Sequence, residues 1–190
     1  TETMPVAYIV PPAFADAVSI KLKQHDIAFR VMDKAISKAD LQTFRADTAK
    51  LSAQSVEGNQ RLTVTGDWKP EPGDIRQGSL YVPLNQAKSR LVMALFEAKA
   101  PDSMLAWGVF NNAFEQKEYM EEYVAEEVAE NMLARDPELA AAFKKKVDED
   151  AAFAKDPQAR LNFFYRLHSS WDEEFNKYPV MREMKVLSKD

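Results

Sequence analysis

The 190-residue chain contains no cysteine. That absence excludes disulfides, a thiolate nucleophile and Cys-bound zinc, and it fits the cytoplasm and the bacterial periplasm equally. Histidine is almost as scarce, with only His25 and His168. A His-x-x-Glu pair would need glutamate at 28 or 171, and those positions hold Ala28 and Trp171. Asp26 follows His25 and Ser169 follows His168, so there is no His-Glu-x-x-His helix either. A catalytic zinc usually takes three protein ligands, so it would require both histidines to meet across the fold. Each instead falls near an expected helix C-terminus, where a contact with the helix dipole is the ordinary role. No histidine follows Glu115, Glu118, Glu122 or Glu126 by three residues, so the pattern of a ferritin-like di-iron site is missing.

Glycine is also sparse, with five residues, four of them at 58, 66, 73 and 78 and the fifth at Gly108. No glycine-rich turn opens a helix, which removes the dinucleotide fingerprint, and Gly-x-Ser-x-Gly does not occur. No apolar run approaches the 18 residues that would suggest a membrane span. The opening Thr-Glu-Thr-Met-Pro has neither a basic nor an apolar segment of the secretory kind, so no signal peptide is expected within this chain.

What is present is an ordinary globular composition. The apolar fraction of 46% predicts a sizeable core, and the length fits one domain or two lobes. The net charge of −5 argues against nucleic acid and anionic membranes as partners, since both need clustered cations. Residues 1–84 carry 10 acids and 10 bases, whereas residues 85–190 carry 20 acids and 15 bases. A solvated acidic helical face accounts for that excess.

The chain changes character near residue 84. Val6–Val10 reads as a buried strand stopped by Pro11-Pro12, and Pro12 suits the first turn of a helix. Phe14, Ala17, Val18 and Leu22 give that helix one apolar face to about Gln24, and Ile27–Met32 alternates toward a second strand. Leu41–Leu51 and Arg61–Trp68 show period-two patterns, with Leu62 and Val64 facing one way. Residues 69–74 have turn composition, and Gly78–Leu84 reads as a last strand closed by Pro83.

From Asn85, a candidate N-cap, the spacing predicts helices. Leu91, Val92, Leu95 and Phe96 share one face. Asp102 or Ser103 can cap the next helix, and Glu115–Ala134 is the longest one expected, with a stripe of Met120, Val124, Val128 and Met132. Asp136-Pro137 and Asp156-Pro157 each supply a capping carboxylate and a preset first-turn φ, opening helices over about 137–147 and 157–168. Residues 170–190 read as a tail packed over the helices. The expected fold is therefore α+β: an N-terminal β-α-β with antiparallel strands in a small mixed lobe, 1–84, then a helical bundle in 85–190.

Within the helical half, the run from Ala100 to Met120 mixes aromatics, adjacent amides and carboxylates. On a helix, Trp107, Asn111 and Glu115 would share a face, with Gln116 beside them and Phe110 and Phe114 on the neighbouring stripe. Gly108 in a helix costs about 1 kcal/mol against alanine, which suggests close approach of another backbone there. Two readings follow. The segment is a buried seam in which Asn111 and Asn112 bond backbone groups, or Trp107, Asn111 and Glu115, with Tyr119, line a groove or domain interface.

The same run carries a family resemblance. Gly78–Leu84, Ala100–Asn111, Phe114–Tyr123 and Ser170–Val180 resemble the C-terminal region of large bacterial zinc carboxypeptidase-like metallopeptidases of the carboxypeptidase A superfamily. The likeness extends loosely over Met4–Val10, so it covers most of the chain. It implies a parent that is secreted or periplasmic and releases C-terminal residues of peptides. In such proteins the zinc ligands, the carboxylate-recognising arginine and the catalytic glutamate lie in an N-terminal peptidase domain, and none of those motifs occurs here. The resemblance thus implies a non-catalytic accessory domain with no cofactor of its own, whose partner is that peptidase domain. The alternative is a stand-alone binding or interaction domain with an apolar groove around Trp107, and the least supported reading is that the chain is itself a hydrolase.

Overall fold

The computed structural model describes residues 4–117 and 119–185. The fold class is α+β. Its contacts separate two compact units, Thr1–Glu115 with Glu174–Asp190, and Gln116–Glu173.

The first unit is built on a six-stranded antiparallel sheet. Its strands are β1 (Ala7–Val10), β2 (Arg30–Val31), β4 (Leu41–Leu51), β5 (Leu62–Pro70), β7 (Leu80–Pro83) and β8 (Lys177–Glu183), in the order β2-β7-β1-β8-β4-β5. A separate pair, β3 (Ile36–Ala39) and β6 (Gly73–Ile75), forms a two-stranded sheet. The helix α1 (Pro12–Gln24) starts at Pro12 and joins β1 to β2. Those two strands are not neighbours: β7 lies between them and pairs antiparallel with both.

Because side chains alternate across a strand, the central strands β1 and β8 feed two cores. Tyr8 and Val10, Leu80 and Val82, Tyr178 and Val180 point to one face. There they pack with Val18 and Leu22 of α1 and with Val92 and Phe96 of α2 (Ser89–Phe96). Ile9 and Met181 point to the other face, onto Ala39 and Ile75 of the two-stranded sheet. The period-two reading of β4 and β5 holds, with Leu62 and Val64 buried between exposed Thr63 and Thr65.

Two local expectations are corrected. Residues 177–183 are not a tail over the helices but β8, a central strand paired on one side with β1 and on the other with β4. Pro179 disguised it, because proline cannot donate to a ladder and argues against a central strand. The ladder makes room for it: the register with β4 shifts between Thr43 and Arg45, opposite residues 177–181, and pairing with β1 covers only 181–183. The 102–117 segment is not an α-helix either. Residues 101–110 form consecutive turns, followed by a 3₁₀ turn at Asn111–Phe114, and α3 begins only at Glu122. Ser103 does cap one turn, its Oγ accepting from the Ala106 N–H at 3.1 Å. Gly108 then takes φ +82°, which ends any helix. Similarly, α2 starts at Ser89 rather than after Asn85, with no side-chain cap.

The second unit contains α3 (Glu122–Arg135), α4 (Pro137–Glu149), α5 (Ala151–Lys155) and α6 (Pro157–Tyr165) among the described residues. Both Asp-Pro starts are confirmed. Asp136 accepts from the N–H groups of Glu138 and Leu139, and Asp156 from that of Ala159. Asp150 caps α5 in the same way, a third cap without a proline to announce it. Such caps contribute about 1 kcal/mol each. The deepest face of α3 is Ala125 and Ala129, beside rather than on the expected Met120/Val124/Val128/Met132 stripe. Phe143, Phe153, Phe163 and Phe164 form a ring cluster, with Phe143 and Phe164 centroids 4.7 Å apart.

Candidate functional site

Two arrangements in the first unit gather polar and aromatic groups. The first contains the residues singled out in the sequence. The turns of 101–110 wrap the entrance of β5. The Leu62 N–H donates to the Ala106 carbonyl at 3.1 Å, and the Arg61 guanidinium donates to the Pro101 carbonyl. That guanidinium also lies 4.4 Å over the Trp107 ring, and the Asn111 Nδ2 donates to the Gln60 carbonyl at 3.0 Å. Gly108 faces the same carbonyl so closely that a Cβ there would stand 2.6 Å from it. Close backbone approach at Gly108 is therefore real, although its setting is a left-handed turn.

Trp107 and Asn111 are thus brought together around Gln60 and Arg61, forming a latch. Trp107 is half-buried, and the Asn111 Oδ1 is buried without a hydrogen-bond partner. Glu115 is exposed and lies outside the latch. Tyr119 is 74% exposed and belongs to the second unit, so it is not part of the latch either. Phe110 is fully buried, edge-on to Tyr178 at 5.2 Å and to Phe14 at 4.9 Å.

The second arrangement escaped the sequence reading. Glu97, just beyond α2, receives the Arg182 Nε at 2.9 Å, the Arg182 Nη2 and the Tyr8 hydroxyl. The Arg182 side chain is 5% exposed and its guanidinium lies 4.1 Å over the Trp68 ring. Burial, then the hydrogen bond to Glu97, push the Tyr8 phenol well above its ordinary pKa. Burial does the same to Tyr178, whose hydroxyl has no partner. On the opposite face of the sheet, buried Glu183 accepts from the Tyr81 hydroxyl at 2.6 Å, and Arg30 covers the Tyr81 ring at 4.2 Å. The only signal in the sequence was the alternation Tyr178, Val180, Arg182 against Met181 and Glu183, legible once 177–183 is taken as a strand.

Chemically, the Glu97 centre is a clamp. A general base needs a free lone pair turned to substrate, whereas three donors converge on this carboxylate from β1 and β8. The histidines are peripheral: His25 caps the end of α1 through its backbone N–H, and the His168 Nδ1 bonds the Ser170 hydroxyl at 2.8 Å. Among the described residues no group of three or more His, Cys, Asp or Glu side chains could hold a metal ion. No helix among them is long and apolar enough to cross a membrane.

Comparison with protein-family models, with curated proteins and with solved structures gives no match.

Proposed function

We propose that this chain is a non-catalytic accessory domain of a zinc-dependent carboxypeptidase-like metallopeptidase, periplasmic or secreted, that docks on the zinc-bearing peptidase domain of its parent. The resemblance supplies the family. One structural observation supports the accessory role: within Gly78–Leu84 and Ala100–Asn111, residues that carry the likeness are spent on building this fold. Within Gly78–Leu84 lies β7. Trp107 and Asn111 hold the latch on Gln60 and Arg61, and Phe110 packs between Phe14 and Tyr178. A segment that keeps its aromatics and amides for architecture is what a positioning domain needs, and the half-buried indole of Trp107 is its candidate contact with the peptidase domain.

The upstream reading frame tests the parentage, because it should encode His-x-x-Glu in a peptidase domain; its absence would overturn the assignment. Docking is tested by calorimetric titration of that domain with this chain. Interface hot spots are worth about 2 kcal/mol or more, so Trp107→Ala should weaken binding by more than about tenfold under conditions where urea unfolding shows the variant still folded. Unchanged affinity would remove Trp107 from the interface. Tight 1:1 zinc binding by the isolated chain would instead favour a hydrolase.

A further inference from the structure

The helical unit carries a groove that neither the latch nor the resemblance uses. Its volume is about 560 Å³, within the range of roughly 300–1,000 Å³ typical of small-molecule sites. Leu139 of α4, Phe153 of α5, Phe163 of α6 and Leu167 beyond it supply most of the apolar lining. Lys146, Asn162 and Arg166 supply its polar groups, and no acid lines it among the described residues. That composition runs against its surroundings, since residues 116–173 hold 14 acids and 8 bases. An apolar groove whose only charges are two cations, in an acid-rich unit, is complementary to an apolar molecule with an anionic end.

The two cations differ. Lys146 is already engaged, with Asp150 at 3.8 Å and the Phe153 ring at 4.8 Å. Arg166 makes no ion pair among the described residues; its guanidinium only rests 5.6 Å over the Trp171 ring. The Asn162 side-chain amide likewise makes no hydrogen bond among the described residues. It stands four residues before Arg166, and the Arg166 N–H donates to the Asn162 carbonyl at 3.1 Å, so both side chains leave one helical face. The Arg166 side chain is exposed, and an unpaired guanidinium fork with an unbonded amide one turn away can pair a carboxylate through two parallel N–H bonds.

What lies along the groove selects between carboxylates. An extended peptide brings an N–H and a C=O at every residue, each needing a partner. Apart from Asn162 and the two cations, the lining side chains are hydrocarbon. A methylene chain needs nothing else. We propose that this groove binds a single-chain amphiphile, its alkyl tail lying on Phe153, Phe163, Leu139 and Leu167 and its one carboxylate held by Arg166 with help from Asn162. The site stands apart from the peptidase reading and survives or falls without it.

The test is calorimetric titration of the whole chain with sodium dodecanoate below its micelle concentration. Dodecanol and the free-acid peptide N-acetyl-Ala-Leu-Phe are the comparisons. Dodecanoate should bind 1:1, and dodecanol at least about tenfold more weakly, because it lacks the charge that arginine recognises. Arg166→Gln should cost dodecanoate a similar factor while leaving dodecanol unaffected. Leu167→Glu, at a position 55% exposed and so tolerant of substitution, should abolish dodecanoate binding by placing an anion in the mouth. No binding, equal binding of acid and alcohol, or indifference to both substitutions would overturn the proposal. Tighter binding of the peptide acid would overturn it in favour of a peptide site.

Discussion

The guanidinium of Arg182 closes a fork on the carboxylate of Glu97, 85 residues earlier in the chain. The pair ties β8 to the end of α2. Its two side chains are 5% and 19% exposed, so water does little to screen it. Removing one partner of such a pair leaves the other charge desolvated, at a cost of about 3–5 kcal/mol. Glu97→Ala should therefore lose about that much stability in urea unfolding. A joint Glu97→Leu, Arg182→Met and Tyr8→Phe replacement, which buries neither a charge nor an orphaned hydroxyl, should recover most of it. Equal losses in the single and triple variants would mean that the ion pair is not what holds β8 in place.

Two buried phenols near this clamp should respond in opposite directions. The Tyr8 hydroxyl donates to Glu97, whereas that of Tyr178 has no partner. Deleting a donor to a charged group costs about 1.5–3 kcal/mol, while deleting an unsatisfied buried hydroxyl is neutral or stabilising by up to about 1 kcal/mol. Tyr8→Phe should thus destabilise and Tyr178→Phe should not. Alkaline pH adds a second readout. Burial raises both phenols above the ordinary value of 10.0, so above that pH the unfolded chain binds fewer protons than the folded one. Stability should be complete below about pH 10 and fall as pH rises beyond it, less steeply in Tyr178→Phe. Urea midpoints between pH 8 and 11 measure this; matching slopes in wild type and Tyr178→Phe would show that Tyr178 ionises freely when folded.

The sequence made some of these features legible and hid others for identifiable reasons. Alternation over Leu62–Val64 was enough for β5 because only one face of it is buried, whereas β4 was legible from its strand-forming residues although Leu41 and Phe44 are buried on opposite faces. The Asp-Pro pairs were enough for α4 and α6 because capping is a local interaction. By contrast, β8 lies between β1 and β4 through pairings that span most of the chain, and Pro179 removes its local signature. The Glu97 clamp disappeared with it, since Arg182 has no meaning as a site residue until its strand is placed. For Ala100–Asn111, helical spacing was a fair expectation, but one left-handed residue changes where every side chain points. Trp107 and Asn111 do meet, through Gln60 and Arg61 rather than along a helix face.

Gly108 is the point on which the latch turns. Any other residue at its φ of +82° costs about 1–2 kcal/mol in backbone strain. A Cβ there would also stand 2.6 Å from the Gln60 carbonyl and 2.9 Å from the Asn111 Nδ2, so the Asn111–Gln60 bond would open, costing about 1 kcal/mol more. Gly108→Ala should therefore destabilise by about 2–3 kcal/mol. Gly58 separates strain from collision: its φ is +78°, yet a Cβ would meet nothing within 4 Å. Gly58→Ala should accordingly cost only the strain. Hydrogen exchange at the Leu62 amide, which donates to the Ala106 carbonyl, reads the latch directly. It should accelerate in Gly108→Ala beyond what the global loss of stability explains, and not in Gly58→Ala. If the two variants behave alike, strain alone sets the cost, and the contact between Gly108 and Gln60 contributes nothing to holding Trp107 over Arg61.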